Sequence, residues 1–141
     1  MSQQNARAST SKGAMTAEQG EARDAWPWPE SLDALSAAPQ HHTLLFENEH
    51  VRVLETRIPP GDRAPVHTHR WPSVLYVFSW SDFIRRDADG KLIVDSRAAG
   101  GGSPPTAPTV IWSPALPPHS LENVGTTEIR VVSVELKQVA A

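Results

Sequence analysis

Two histidines, His67 and His69, stand two residues apart in the stretch PVHTHRWP, and His119 follows in the stretch PPHSLENVG. On a β-strand, residues i and i+2 project from the same face, so the first two imidazoles point in one direction. Imidazole nitrogen is the commonest protein ligand of transition metals, and two rings on one face supply part of a coordination sphere. A solitary pair of this kind is usually an ordinary feature of a strand, so its meaning depends on the elements around it.

Short runs rich in Val, Ile, Leu and aromatic residues surround these histidines and begin at Thr43. Turn signals such as PPGD (59–62), DADG (87–90) and VGTTE (124–128) separate the runs, a pattern typical of antiparallel sheets. Eight or nine short strands predict an all-β sandwich or small barrel. The stretch at 97–108, RAAGGGSPPTAP, has no periodicity and is predicted to be a surface loop.

Two segments of different composition precede the strands. Residues 1–25 are polar and small, and we expect a disordered tail, because so little apolar surface cannot offset the entropy of ordering. Residues 26–42 begin with WPWP, which predicts an extended lead-in, followed by a short helix capped by Ser31. We expect the two tryptophans of this lead-in to dock on the domain or across a subunit contact. The single domain is expected to occupy residues 43–141.

Composition excludes several classes of function. The 141 residues include no cysteine, which rules out disulfides, thiolate metal sites and cysteine nucleophiles and favours a cytoplasmic location. A formal net charge of −3 without a basic stripe argues against nucleic acid as a partner. No apolar run approaches the roughly 20 residues that span a bilayer, so no membrane association is predicted. The N-terminus lacks the pattern of a secretory signal.

The spacing Gly61-x5-His67-x-His69, followed by His119-x3-Asn123, resembles the two sequence motifs of the cupin superfamily. The resemblance implies a double-stranded β-helix, or jelly-roll barrel, with a short N-terminal helix and a flexible tail outside it. It also implies that His67, His69 and His119 converge inside the barrel on one divalent metal ion.

The resemblance extends over about residues 43–137 and departs from the family pattern at informative places. The family's glutamate ligand follows the second histidine after three residues, where this chain has Ser73, and Trp80 replaces a glycine. Two interpretations remain open. A neutral set of three histidines leaves more positive charge on the metal and more open coordination sites, which suits dioxygen and chelating anions. Alternatively, the metal affinity has decayed, and the site is empty or takes zinc adventitiously.

Side chains that share strand parity with the ligands are predicted to line the pocket, namely Ser73, Leu75, Val77, Leu121 and Asn123. Asn123 either orients a histidine or the strand end, or forms the turn before Gly125. Trp71 and Trp112 either wall the mouth of the cavity or pack as ordinary apolar side chains.

Other polar residues near the site permit weaker predictions. Glu55, if it points inward, replaces the missing ligand or acts as a base, but strand parity does not decide its direction. Three arginines either anchor a carboxylate or remain solvated, namely Arg57, Arg63 and Arg70. Three further histidines lack a matching spacing and receive no function, namely His41, His42 and His50.

Two classes of function follow. The first is a metal-dependent enzyme, and the resemblance favours a non-haem Fe(II) dioxygenase acting on a small chelating organic acid or diketone. Manganese, nickel, cobalt and zinc also suit imidazole ligands, and a metal-assisted isomerase or lyase acting on a sugar or keto acid is the variant. The second class is a non-catalytic module that binds a small ligand. We also expect a homodimer, in which the run TLLFEN adds to a neighbour's sheet.

Overall fold

Nine antiparallel strands in two sheets make up most of the described chain, as predicted for an all-β fold. The structure is a computed structural model that describes residues 25–98 and 106–137. The predicted tail lies outside these residues except for Ala25, and so does most of the predicted loop at 97–108. The strands are β1 (His42–Glu47), β2 (Val51–Ile58), β3 (Arg63–His69), β4 (Ser73–Ser79), β5 (Phe83–Asp87), β6 (Leu92–Asp95), β7 (Thr109–Ser113), β8 (Leu116–Asn123) and β9 (Ile129–Leu136).

The two sheets interleave strands from both halves of the chain, as a jelly roll requires. The five-stranded sheet has the order β1-β2-β9-β4-β7, and the four-stranded sheet has the order β3-β8-β5-β6. Strands β3 and β8, which carry the histidine motifs, are therefore neighbours although the chain between them is long. This pairing places the two motifs side by side.

An apolar core fills the space between the sheets. Ile58, Val77 and Ile129 have no exposed surface, and Leu121 packs against them from β8. Full burial of such a side chain contributes about 1.5–3 kcal/mol each to stability. Val77 thus belongs to this core and does not line the cavity described below, which corrects its predicted place.

The lead-in contains a 3₁₀ turn, Glu30–Leu32, and one described α-helix, α1, which spans Ala34–Ala37. Asp33 caps α1, because its carboxylate accepts a hydrogen bond from the backbone of Leu35 at 3.0 Å. The prediction that Ser31 is the cap is wrong, since Ser31 lies within the 3₁₀ turn. Among the described residues, no helix has the length and apolar character needed to cross a membrane.

The lead-in docks on strand β3. Asp33 forms an isolated parallel bridge with Thr68, and the Thr68 hydroxyl donates to the Leu32 carbonyl at 3.3 Å. Trp26 and Trp28 pack against each other with ring centroids 4.7 Å apart, and both are half-buried. The lead-in is therefore part of the folded domain and lies against the strand that carries the first two motif histidines.

Asn123 fixes the ends of the strands on either side of the site. Its buried side-chain amide donates to the carbonyls of Ile58 at 2.9 Å and Thr127 at 2.8 Å, and its oxygen accepts from Gly125. The backbone of Gly61, at a φ of +83° that favours glycine, donates to the Asn123 carbonyl. Of the predicted roles of Asn123, the structure shows two, the orienting of a strand end and the turn before Gly125.

Candidate metal centre

The three motif histidines come together between the sheets. His67 of β3 and His119 of β8 are direct cross-strand partners, and their ring centroids lie 4.5 Å apart. The ring of His69 lies 5.0 Å from that of His67 and 5.8 Å from that of His119. His67 and His119 are buried and His69 is half-buried, so the cluster faces an interior space.

A fourth histidine, His42, joins this cluster from the first residue of β1. Its ring centroid lies 4.7 Å from that of His67 and 5.3 Å from that of His69, and it is buried. One ring nitrogen from each of His42, His67 and His69 lies within 4.8 Å of the other two. Two nitrogens bound to one ion at about 2.1 Å are at most about 4.2 Å apart, so small ring rotations bring these three into range.

All four rings use the same nitrogen, Nδ1, to contact an oxygen, which leaves Nε2 available in each of them. The acceptors are the Ala38 carbonyl for His42 (3.0 Å), the Pro65 carbonyl for His67 (2.6 Å), the Glu135 carboxylate for His69 (3.1 Å) and the Pro117 carbonyl for His119 (2.7 Å). A carbonyl oxygen and an ionised carboxylate oxygen only accept, so Nδ1 carries the proton and Nε2 keeps a lone pair. This donor set fits a divalent metal ion.

Burial keeps the imidazoles neutral. Burial, together with the smaller effect of the neighbouring rings, lowers the pKa of His42 and of His119 to about 2 and that of His69 to about 3. The pKa of His67 is also lowered, mainly by burial. Neutral imidazole is the form that binds metals, so these side chains need no deprotonation at neutral pH.

A buried carboxylate lies on the strand next to Ser73, the position at which the family motif has a glutamate. Glu135 of β9 is the cross-strand partner of Ser73 and is fully buried. One of its oxygens accepts from His69 Nδ1, and the other accepts from Arg52 Nε at 2.7 Å. Glu135 therefore orients a histidine from behind instead of offering an oxygen on the side of Nε2.

A chain of charges connects this carboxylate to the lead-in. The two terminal nitrogens of the Arg52 guanidinium donate to the two oxygens of Asp33 at 3.0 and 2.9 Å, while Nε donates to Glu135. Such a bidentate pairing fixes the orientation of both side chains, and charge-assisted hydrogen bonds are stronger than neutral ones. Sequence reasoning gave no role to Glu135 or Arg52 and placed no function on His42.

A cavity of about 80 Å³ adjoins the four rings. Leu75, Leu121 and Ser73 line it, as the parity of their strands predicts, and Arg85 of β5 lines it as well. Its lining, drawn from the described residues, contains no aspartate or glutamate. A cavity of this size suits a small ligand.

Two predicted wall residues lie elsewhere. Trp112 is 58% exposed and stands opposite Val74 on the outer face of the five-stranded sheet, since both have outward parity. Trp71 packs beside the Arg52 guanidinium, 5.0 Å from its ring centroid, in a separate surface pocket next to the lead-in. The prediction that these tryptophans wall the cavity is therefore wrong, and Trp80 supplies an aromatic side chain there.

The polar residues weighed from sequence also lie away from the cavity. Glu55 accepts a hydrogen bond from Arg130 at 2.8 Å and is absent from the lining, which contradicts an inward role. Arg57 pairs with Glu128 at the surface, and two further arginines are exposed and absent from the lining, namely Arg63 and Arg70.

Comparisons with known proteins are consistent with this architecture. No family model and no curated protein sequence matches the chain. Among solved structures, a cupin domain from Bordetella pertussis Tohama I is similar, with a TM-score of 0.54 and 25% identity over 69% of this chain and 92% of that one. An RmlC-like cupin with a double-stranded β-helix fold from Methanocaldococcus jannaschii has a TM-score of 0.47 and 14% identity, covering 67% and 77% of the two chains. The polyketide cyclase RemF from Streptomyces resistomycificus has a TM-score of 0.46 and 18% identity, covering 72% and 68%.

Proposed function

We propose that this chain, a member of the cupin superfamily, binds one divalent metal ion through His42, His67, His69 and His119. One observation carries the proposal. Each of the four clustered rings has its Nδ1 within hydrogen-bonding distance of an oxygen, which leaves the lone pair on Nε2 in all four. The ligand atoms of His42, His67 and His69 lie within 4.8 Å of one another, and the ring of His119 lies beside that of His67 with centroids 4.5 Å apart. His42 then takes the place of the family's carboxylate, and Ser73 marks a specialised site.

The metal that we favour is Fe(II), because a set of neutral nitrogen ligands suits it and leaves its positive charge uncompensated. Manganese, nickel, cobalt and zinc remain alternative outcomes of the metal analysis below. A bound ion of this kind would supply Lewis acidity and the coordination positions that four histidines leave open, which suffice for one substrate oxygen and dioxygen. Meanwhile Glu135 holds the ring of His69, and Leu75 and Leu121 keep bulk water out of the cavity.

We propose further that the protein is a dioxygenase of a small chelating compound. The isomerase or lyase variant needs a positioned base, and the residue nominated for it, Glu55, is bonded to Arg130 outside the cavity. The described cavity lining contains no carboxylate, and its histidines are the proposed metal ligands. A non-catalytic ligand-binding module would use the same cavity. Only a test of catalysis therefore distinguishes that module from the dioxygenase.

Elemental analysis of protein purified without added metal or chelator tests the metal site. We expect about one metal ion per chain in the wild type and a large loss in each of His42→Ala, His67→Ala and His119→Ala. His50→Ala is the matched control, because the side chain of His50 is 65% exposed and remote from the cluster. A substoichiometric mixture of metals that none of the substitutions changes would contradict the proposal.

Oxygen uptake separates the enzyme from the binding module. The metal-loaded protein should consume dioxygen in the presence of a cleaved organic acid, and His119→Ala should not. Binding of the same acids without oxygen consumption would favour the non-catalytic role. A cytoplasmic location stays a prediction from the lack of cysteine.

We also propose a homodimer, which is supported by an apolar row on the outer face of the five-stranded sheet. The strand registers align Phe46, Val53, Val134, Val74 and Trp112 across all five strands. Phe46 and Trp112 are 54% and 58% exposed. Exposed apolar patches of this kind mark association sites, and this face extends the TLLFEN edge predicted from sequence.

Light scattering after gel filtration tests this association. The wild type should have twice the mass of the 15.4 kDa chain, and Trp112→Glu should be monomeric. Arg97→Glu serves as the control, at an exposed site whose partner among the described residues is Asp95. A monomeric wild type would contradict the dimer.

A further inference from the structure

Arg85 is a cation placed inside the cavity. It lies on β5 opposite Leu121 of β8, and both side chains line the space next to the histidines. Its positive charge lowers the pKa of three rings in addition to the larger effect of their burial, namely His67, His69 and His119. The guanidinium is therefore within electrostatic range of the proposed metal ligands.

The Arg85 guanidinium has no acidic partner among the described residues. Its Nε is buried without a hydrogen-bond acceptor, and it takes part in none of the described ion pairs. The residue is half-buried, and this burial lowers its pKa. The next residue, Arg86, differs, because it pairs with Glu122 at 3.0 Å. A guanidinium nitrogen that is buried in a cavity without an acceptor calls for an anion there, because buried charges are normally paired.

A second donor in the same lining also lacks an acceptor. Trp80 Nε1 is buried and makes no hydrogen bond, and Trp80 lines the cavity with Arg85. Buried N–H groups are nearly always satisfied, and an orphaned group costs about 1–3 kcal/mol. Two orphaned donors, Arg85 Nε and Trp80 Nε1, together indicate a ligand with acceptor oxygens.

The charge balance of the cavity favours the same kind of ligand. The acid behind the histidines, Glu135, is already shared between Arg52 and His69, and the cavity lining has no acid of its own. A divalent ion beside Arg85 would bring the local charge to about +3, since four neutral imidazoles compensate none of it. An anionic ligand removes this excess.

We infer that Arg85 anchors the carboxylate of a small organic acid whose neighbouring oxygen reaches the metal. This inference rests on the proposed metal site and narrows its substrate class to small chelating acids, such as 2-oxo acids, against uncharged diketones. The fork of the guanidinium matches a carboxylate with two parallel hydrogen bonds, which lysine does not reproduce. The cavity of about 80 Å³ favours a small acid.

Calorimetry with two probes of nearly equal shape tests the inference. Pyruvate and butane-2,3-dione differ in replacing a carboxylate oxygen by a methyl group, so their binding to the metal-loaded wild type isolates the charge. We expect pyruvate to bind at least tenfold more tightly than the dione. Arg85→Gln should lose at least tenfold in pyruvate affinity, Arg85→Lys should lose less, and Arg86→Gln should match the wild type.

Metal content measured on every sample separates this inference from the metal proposal. Arg85→Gln should retain the metal, because Arg85 is not a ligand. Equal affinities of the wild type for pyruvate and the dione, or unchanged pyruvate binding in metal-loaded Arg85→Gln, would overturn the anchor and leave the metal site standing. A wild type without metal would overturn the metal site instead. In that case the anchor is tested on the metal-free protein, where Arg85→Gln should still weaken pyruvate binding. If Arg85→Gln does not fold, the two-probe comparison on the wild type decides.

Discussion

The histidine pair of strands β3 and β8 and the single histidine His69 are held in opposite ways. His67 and His119 each donate Nδ1–H to the carbonyl of a proline two residues earlier, Pro65 and Pro117. His69, on the same strand as His67, donates to Glu135, which is 66 residues away in the chain. The first arrangement is local and built from backbone, whereas the second depends on a side chain brought in by the sheet.

This difference teaches that neighbouring ligands of one metal can rest on separate structural supports. His42 belongs with the locally held rings, since its acceptor is the carbonyl of Ala38, four residues before it at the end of α1. His69 depends on a network that continues through Arg52 to Asp33. Substitutions in the network should therefore affect His69 and the fold together.

Glu135→Ala removes the side-chain support of His69 and should have the largest effect on stability and on metal affinity. It leaves Arg52 without its buried partner and His69 without an acceptor, so we expect a loss of about 3–5 kcal/mol in the free energy of unfolding. The metal affinity should fall by about 10–100-fold. Urea titration and metal titration measure the two effects. Glu128→Ala, which removes only the surface pair with Arg57, should cost less than about 1 kcal/mol. Equal costs for the two variants would show that the network is not structural.

Removal of the metal should destabilise the wild type, because the ion connects strands through its four histidine ligands. An ion bound by all four histidines links β1, β3 and β8, and at a free concentration of 100 times its Kd it stabilises the fold by about 2.7 kcal/mol. A chelator should therefore lower the thermal midpoint of the wild type and change that of His42→Ala much less. Superimposable melting curves of the wild type with and without chelator would count against a shared ion.

Asp33→Ala should have a moderate effect, since it removes the cap of α1 and one of the two partners of Arg52. We expect a loss of about 1–2 kcal/mol, measured by urea unfolding. Ser31→Ala should change stability by less than about 0.5 kcal/mol, because Ser31 caps nothing. A larger loss in Ser31→Ala than in Asp33→Ala would reverse the assignment of the cap.

The cost of Asp33→Ala should also depend on pH. Burial alone would raise the pKa of Asp33, but the hydrogen bonds and charge of Arg52 outweigh burial and hold that pKa below its ordinary value of 3.8. The contribution is thus fully present above the unfolded-state pKa and is lost as the pH falls through the lower folded-state pKa. The difference between wild type and variant should shrink only in strong acid.

Ser73→Ala should have the smallest effect. Ser73 lines the cavity but is not a ligand in the four-histidine site, so metal content should stay at the wild-type level and stability should change by less than about 0.5 kcal/mol. The same elemental analysis and urea titration measure both. Loss of the metal in this variant would indicate that Ser73 is a metal ligand.

The strands and the motif histidines were predictable because their signals are local. Alternating apolar runs between turn residues locate all nine strands, and the spacing around His67, His69 and His119 locates the motif histidines. His42 carried no such signal, since it follows His41 directly at the start of a strand and matches no ligand spacing. Its membership depends on how β1 lies beside the motifs in three dimensions.

The roles of Glu135 and Arg85 were not predicted from the sequence. In β9, Ile129, Val131 and Ser133 point inward, and Glu135 has the same parity, so an acid at an inward position was a readable signal. Its partner Arg52 is 83 residues away and could not be named. For Arg85, the alternation in FIRRD does not tell which of two adjacent arginines points inward, and only the pairing of Arg86 with Glu122 separates them.

The proline carbonyls behind His67 and His119 also bear on how the site can change over evolutionary time. A backbone carbonyl is present whatever the side chain, so no single replacement at residue 65 or 117 deletes these acceptors. The acceptor of His69 is a side chain, and one codon change at position 135 removes it. Random drift should therefore misalign His69 first, and a descendant of this protein that has lost its metal is expected to keep the Pro-x-His pairs as a record of the former site.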